Sequence, residues 1–152
     1  MKRILAATAC AAAIGFGSAL AGDWSEDQTA VWDTIKQSWK DEAAENGKWP
    51  AQYVHDDVVS WGADWPMPRG KDSMLKWSRF FNSSNEFLEY ELMPAKIIVA
   101  GDTAVAHYAV VSVTEDHEQD RSRNSEGLIE VLVRDGGDWK FLSLTSFDMD
   151  DD

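Results

Sequence analysis

The stretch Tyr53-Val-His-Asp-Asp-Val-Val-Ser-Trp61-Gly62, followed by Pro66-Met-Pro-Arg-Gly-Lys-Asp72, decides the fold. Pro50, just upstream, suits a first helical turn, where a missing N–H costs nothing. A short helix is therefore predicted from about Trp49 to His55, stopped by Asp56-Asp57. Val58-Val59-Ser60-Trp61 has the β-branched and aromatic composition of a strand. Gly70-Lys71-Asp72 then opens an amphipathic helix to Asn82, with Met74, Trp77 and Phe81 at i, i+3 and i+7. Between strand and helix, Ala63 to Arg69 holds two prolines; neither helix nor central strand suits it, and it is expected to arch over an opening.

Upstream, Ser25-Glu-Asp-Gln28 reads as a capping box. Trp32, Ile35, Trp39 and Ala43 then recur at helical spacing until Asn46-Gly47 supplies a left-handed stop. Downstream of Asn85 everything reads as strand: Glu86 to Met93, Ala95 to Ala100, Thr103 to Thr114, Ser125 to Arg134 and Trp139 to Asp148. Gly-Asp and Gly-Gly-Asp turns and an acidic loop from Asp116 to Asn124 separate them. Helices first and antiparallel strands afterwards define an α+β layered domain.

Together with Gly101-Asp-Thr-Ala104 and Gly136-Gly-Asp-Trp139, these segments resemble the SnoaL-like branch of the nuclear transport factor 2-like superfamily, which also contains ketosteroid isomerases. The resemblance covers roughly residues 28 to 148. It implies a cone-shaped α+β roll of three N-terminal helices packed on a curved antiparallel sheet, enclosing a pocket, and a homodimer formed through the open sheet face. Alternation in Thr103 to Thr114 points the same way. Ala104, Ala106, Tyr108 and Val110 lie on one face and Val105, His107, Ala109, Val111 and Val113 on the other. Both faces are apolar, so something should cover each, and helices can cover only one. A second subunit is the expected cover; an overlong terminal segment is the alternative.

Met1-Lys-Arg, the apolar run Ile4 to Gly17 and Ser18-Ala-Leu-Ala21 have the order of a secretory signal peptide, with cleavage expected after Ala21. The run is shorter and richer in Ala and Gly than a membrane span of roughly 20 residues requires. Residues 22–152 are then one domain, exported to the periplasm or the medium. Cys10 falls in the removed segment, so the mature chain offers no thiol for a disulfide or for catalysis. Without Lys2 and Arg3 the 14 basic residues fall to 12 against 27 acidic, a formal charge of −15. Such a surface repels phosphate backbones and anionic membranes, which argues against nucleic-acid or membrane partners. A cationic partner or plain solubility accounts for it.

Seven of the eight tryptophans lie between Trp24 and Trp77. Core packing explains many of them. Within an enclosing cone, Tyr53, Trp61 and Trp77 are candidates for an aromatic lining that suits a flat apolar or aromatic small molecule. His107 and Tyr108 are neighbours on one strand, so only one sees the cavity: His107 as a general base, or Tyr108 as a hydrogen-bonding ligand contact. Glu130 interrupts Leu128-Ile-Glu-Val-Leu-Val133, a strand otherwise built for burial. A buried carboxylate is costly unless paired, hydrogen-bonded or protonated, so Glu130 is the second catalytic candidate. The alternative is an outward Glu130 beside Lys140 or Arg134.

Set against the ketosteroid isomerases, their base position falls on about Gly62, which has no side chain, with Asp64 the nearest substitute. Their first-helix tyrosine has no counterpart, and their second oxyanion acid falls near Glu130. Where SnoaL-like chains commonly carry a histidine in the last strand, Ser143 and Thr145 stand here. No complete acid/base set is present. No cofactor motif appears, and His55-Asp56-Asp57 and the acidic runs lack the spacing of a metal site. The first expectation is a small-molecule-binding domain. The alternatives are a cofactor-independent lyase, isomerase or hydrolase using His107 or Glu130 as base, and an exported protein-interaction module without a ligand.

Overall fold

The computed structural model describes residues 24–62 and 65–149. The expected signal peptide with Cys10, Asp64 and the end of the acidic tail lie outside these residues. Helix α1 (Glu26–Ala43) is followed by β1 (Val54–Trp61), α2 (Lys71–Asn82), β2 (Asn85–Ala100), β3 (Thr103–Asp116), β4 (Arg121–Asp135) and β5 (Asp138–Asp148). The five strands form one sheet in the order β1-β5-β4-β3-β2. β5, β4, β3 and β2 pair antiparallel, and β1 joins the edge parallel to β5. The result is the expected α+β roll, with one parallel pair at its edge.

Helix α1 starts where its sequence provides for it, whereas α2 begins after Gly70 without a side-chain cap. Gln28 N–H donates to Ser25 Oγ at 3.2 Å and Ser25 N–H to Gln28 Oε1 at 2.9 Å, completing the capping box. Gln28 Nε2 also donates to the Ile97 carbonyl at 2.8 Å, tying the start of α1 to β2. After α1 the chain turns through Glu45 at φ 51° and Gly47 at φ 76°, so the left-handed stop falls partly on Glu45. The buried face of α1 is Val31, Ile35, Ser38 and Asp41. Trp32 and Trp39 flank it half-buried, a face rotated by one position from the spacing read through the tryptophans.

Three expectations need correction. Residues 49–53 form a single hydrogen-bonded turn, with Gln52 N–H to Lys48 O at 2.8 Å and Val54 N–H to Pro50 O at 3.1 Å, and two α-helices stand in the described residues where three were expected. The chain extends already at Val54 because the Val54 and Val58 side chains are drawn into the core. His55, Asp56 and Asp57 thus lie in a strand, within a bulge that carries β1 from Val54↔Phe141 to Val59↔Ser143. Pro94 does not split β2: the strand runs through it with a bulge before Lys96. As β2 is an edge strand, the missing N–H of Pro94 breaks no ladder on its outer side. The acidic loop is also shorter than expected, since β3 and β4 pair out to Glu115↔Arg121.

The core lies between the helices and the inner sheet face, with Val31, Ile35, Val58, Ile97, Leu132 and Phe141 fully buried. On β3 the inward residues are Ala104, Ala106, Tyr108, Val110, Ser112 and Thr114, all buried. A bulge between Val131 and Leu132, opposite Phe141 to Ser143, shifts the alternation of β5. Beyond it Leu144 and Ser146 share the inner face with Glu130 and Leu128. Ser143 and Thr145 pair with Val131 and Ile129 and lie outside. The outer face carries Val105, His107, Ala109, Val111 and Val113, with Ile98 49% and Ile129 38% exposed. Both faces are apolar, and the helices cover one.

A candidate ligand-binding cleft

Tyr108 projects from β3 into the cone. Its hydroxyl accepts a hydrogen bond from Trp39 Nε1 at 3.0 Å, and its ring meets Trp32 edge-on at 5.5 Å. Glu130 lies opposite Ala106 on β3 and Leu144 on β5, diagonal to Tyr108. It is 2% exposed, so the outward alternative beside Lys140 or Arg134 does not hold; Arg134 pairs instead with Asp27 and Asp102. Glu130 Oε2 is buried without a hydrogen-bond partner. Burial pushes the Glu130 carboxyl up to about 8, the Tyr108 hydroxyl opposes this, and the charge of Glu42 adds to it. Burial and then Glu130 push the Tyr108 phenol well above its ordinary value. Glu42, half-buried on α1, is raised to about 7 by desolvation of its carboxyl, with Trp49 opposing and Glu126 contributing. Burial thus favours the protonated, hydrogen-bond-donating form of Glu130 at neutral pH.

His107 is on the other face, between Lys96 on β2 and Ile129 on β4. A base there cannot reach anything bound inside the cone. Tyr53 does not line the cleft. Its hydroxyl donates to Asp41, a buried carboxylate that also accepts from Asn46 Nδ2 at 2.7 Å and faces Lys48 Nζ at 3.5 Å. These bonds, Tyr53 first, hold Asp41 down to about 2, while burial and Asp41 raise Tyr53 to about 12. Tyr53 thus fastens the end of α1 to the entry of β1. Trp61 points away from the cleft, half-exposed, and donates Nε1–H to the Trp65 carbonyl at 2.9 Å.

Of the expected lining residues, Trp77 stands at the opening, 45% exposed. It meets Trp65 edge-on at 5.0 Å, and this pair divides two adjoining clefts. One, of about 200 Å³, lies against β5 and α2, bounded by Trp49, Met74 and Leu144 with Ser60, Ser146 and Arg69. The other, of about 340 Å³, lies toward Trp39, Phe81 and Phe87, with Ser112, Thr114 and Asn124. Leu144, the strand neighbour of Glu130, lines the first, and Trp39, the donor to Tyr108, lines the second. Glu130 and Tyr108 therefore sit one layer behind the cleft surface.

The described part of the two-proline segment borders this opening through two residues not singled out in the sequence, Trp65 and Arg69. Arg69 is pinned by reciprocal backbone hydrogen bonds with Ser60, each 2.8 Å, and its guanidinium stacks on Trp65 with Trp77 at 5.1 Å. Gly62 is close-packed: a side chain there would meet Ser146 Oγ at 3.2 Å, so the isomerase base position has no room to be refilled without displacement. Among the described residues no group of three His, Asp or Glu side chains is placed to hold a metal ion, and no helix is long and apolar enough to cross a membrane.

A roll whose curved sheet and helices close around an aromatic cleft defines the class, and the sequence agrees: residues 41–146 match the SnoaL-like domain family. The chain belongs to that family. Its fold is shared by a ketosteroid isomerase-like protein from Erwinia carotovora atroseptica at 12% identity and a TM-score of 0.73, covering 84% of this chain and 100% of that one. It is also similar to an NTF2-like protein of unknown function in nutrient uptake from Rhodospirillum rubrum, at 14% identity, TM-score 0.68 and 78% and 98% coverage. ActVI-ORFA from Streptomyces coelicolor is similar at 11% identity, TM-score 0.67 and 82% and 98% coverage. Among curated proteins none matches the sequence. At such identities the likeness concerns the fold alone.

Proposed function

We propose that this is an exported, homodimeric small-molecule-binding domain whose ligand, a compact molecule with a flat apolar or aromatic body, enters the cleft beside Trp65 and Trp77. The observation that carries the reading is the cleft of about 200 Å³ walled by Trp49, Trp65 and Trp77, with the few polar groups that pockets use for orientation. The apolar outer sheet face supports the dimer, and the order of residues 1–21 supports export.

A second reading has one observation in its favour. Glu130, with a buried and unpartnered Oε2 and a carboxyl raised to about 8, is suited to proton transfer near neutrality. It requires Leu144 or Trp39 to yield so that a substrate atom reaches Glu130. The sheet removes His107 from that mechanism.

Native mass spectrometry of the protein purified from its own exported fraction tests the first reading. Expected are a dimer, a reproducible added mass lost on denaturation, and a chain beginning at Gly22. A ligand-free protein that also fails to take up added aromatic compounds would favour an interaction module instead. Full turnover of an identified substrate by Glu130→Gln would remove the second reading.

A further inference from the structure

Arg69 differs from the other stacked arginine in one respect. Arg134 lies over the Trp139 ring at 4.4 Å and is also paired with Asp27 and Asp102. Arg69 has the stacking on Trp65 and Trp77 and, among the described residues, no carboxylate partner. Its Nη2 is buried without a hydrogen-bond acceptor. This occurs in a chain of net charge −13, where carboxylates are abundant and cations scarce. Lys36, Lys48, Lys71 and Arg121 all have acidic partners. A buried guanidinium N–H without an acceptor carries a desolvation cost, and a cationic donor carries the larger one.

The surroundings are those of a receptor. The backbone of Arg69 is fixed to Ser60 on both sides of the bridge, and its side chain lies against Trp65 and Trp77, so less freedom is left to lose on binding than in a free loop. Ser60 and Ser146 border the same cleft and bring hydroxyl groups, which donate as well as accept. Trp49 and Leu144 give the apolar wall beyond. A planar guanidinium fork matches a carboxylate in two parallel, charge-assisted hydrogen bonds, about twice as strong as neutral ones.

We propose that the cleft takes a small carboxylic acid in its ionised form, with the carboxylate on Arg69 and the flat apolar body against Trp49, Trp65 and Trp77. The proposal rests on the binding role given above and adds the charge and orientation of the ligand. The acidic surface repels every anion in proportion to its charge, so it excludes polyanions far more strongly than a small monoanion held by Arg69.

The test is isothermal titration calorimetry of the full mature chain with 2-naphthoate and with 2-naphthamide, which share a body and differ in charge. Naphthoate is expected to bind at least tenfold more tightly, the range of a charge-assisted pair over a neutral one. In Arg69→Met the two affinities are expected to converge within about twofold by loss of naphthoate binding, and Arg69→Lys to retain part of the preference. Binding of both compounds with equal affinity by the unmodified protein, or a preference that survives Arg69→Met, would overturn the carboxylate assignment and leave the binding role standing. Binding of neither would overturn both. Should Arg69→Met fail to fold, Arg69→Gln takes its place, with the same convergence expected and a surviving preference overturning the assignment.

Discussion

At Glu130 burial and the charge of Glu42 act in one direction, and the Tyr108 hydroxyl only partly opposes them. The folded-state value of about 8 lies above the ordinary 4.5, so between these pH values the native protein holds a proton that the unfolded chain has released. The corresponding stability is present below about pH 4.5 and is lost as the pH rises to about 8; Glu42, raised to about 7, adds to the same slope. Glu130→Gln is therefore expected to flatten the decline of denaturation midpoint between pH 5 and 8 and to stabilise the protein at pH 8 by about 1–3 kcal/mol. Urea titrations across that range check it, and a pH slope unchanged in the variant would mean that Glu130 is ionised in the fold. The sequence showed Glu130 as one acid in an apolar strand but left its direction open, because inner and outer faces of this sheet are alike in composition. His107 and Tyr108 were undecided for the same reason. Arg69 was not legible at all: an arginine in a proline-containing loop is ordinary, and only three-dimensional placement leaves it without an acceptor.

Among the elements, the capping box and the later strands could be read directly, whereas the segment around Pro50 and the course of β2 could not. One turn of helical hydrogen bonds has the same local signals as a helix, and what ends it is the burial of Val54 and Val58, a tertiary effect. Proline breaks a strand only where its N–H would be used, and the position of β2 at the sheet edge cannot be seen in the sequence. A similar dependence on pairing holds at Gly127, opposite Phe147. A Cβ there would stand 2.2–2.8 Å from the Phe147 ring, which covers the glycine on the outer face. Gly127→Ala is expected to cost about 1 kcal/mol by forcing Phe147 to rotate. In a Phe147→Ala background the same change is expected to be neutral or stabilising, since alanine loses less chain entropy than glycine. A double-mutant cycle by thermal denaturation checks the coupling; additive effects would mean that the ring does not rest on Gly127.

For the whole molecule, the inner sheet face is closed by α1, α2 and the core, while the outer one presents Ile98, Val105, Val111 and Ile129 to its surroundings. In the dimer proposed above, a second copy laid on this face would bury what the helices cannot. Ile129→Glu, at a position 38% exposed in the single chain, is expected to leave the fold intact and convert the proposed dimer to a monomer, as read by sedimentation velocity. A dimer of unchanged affinity would place the interface elsewhere. The fold class and the two apolar faces were legible because they depend on periodicity, whereas the cleft depends on how Trp49, Trp65, Trp77 and Arg69 converge from separate segments. Amide chemical-shift mapping with 2-naphthamide tests that convergence, since a neutral probe does not depend on Arg69. Shifts concentrated at Ser60, Gly62, Ser78, Leu144 and Ser146, with His107 and Ile129 unmoved, are the expected result. Shifts confined to the outer sheet face, or none at saturating probe, would contradict it.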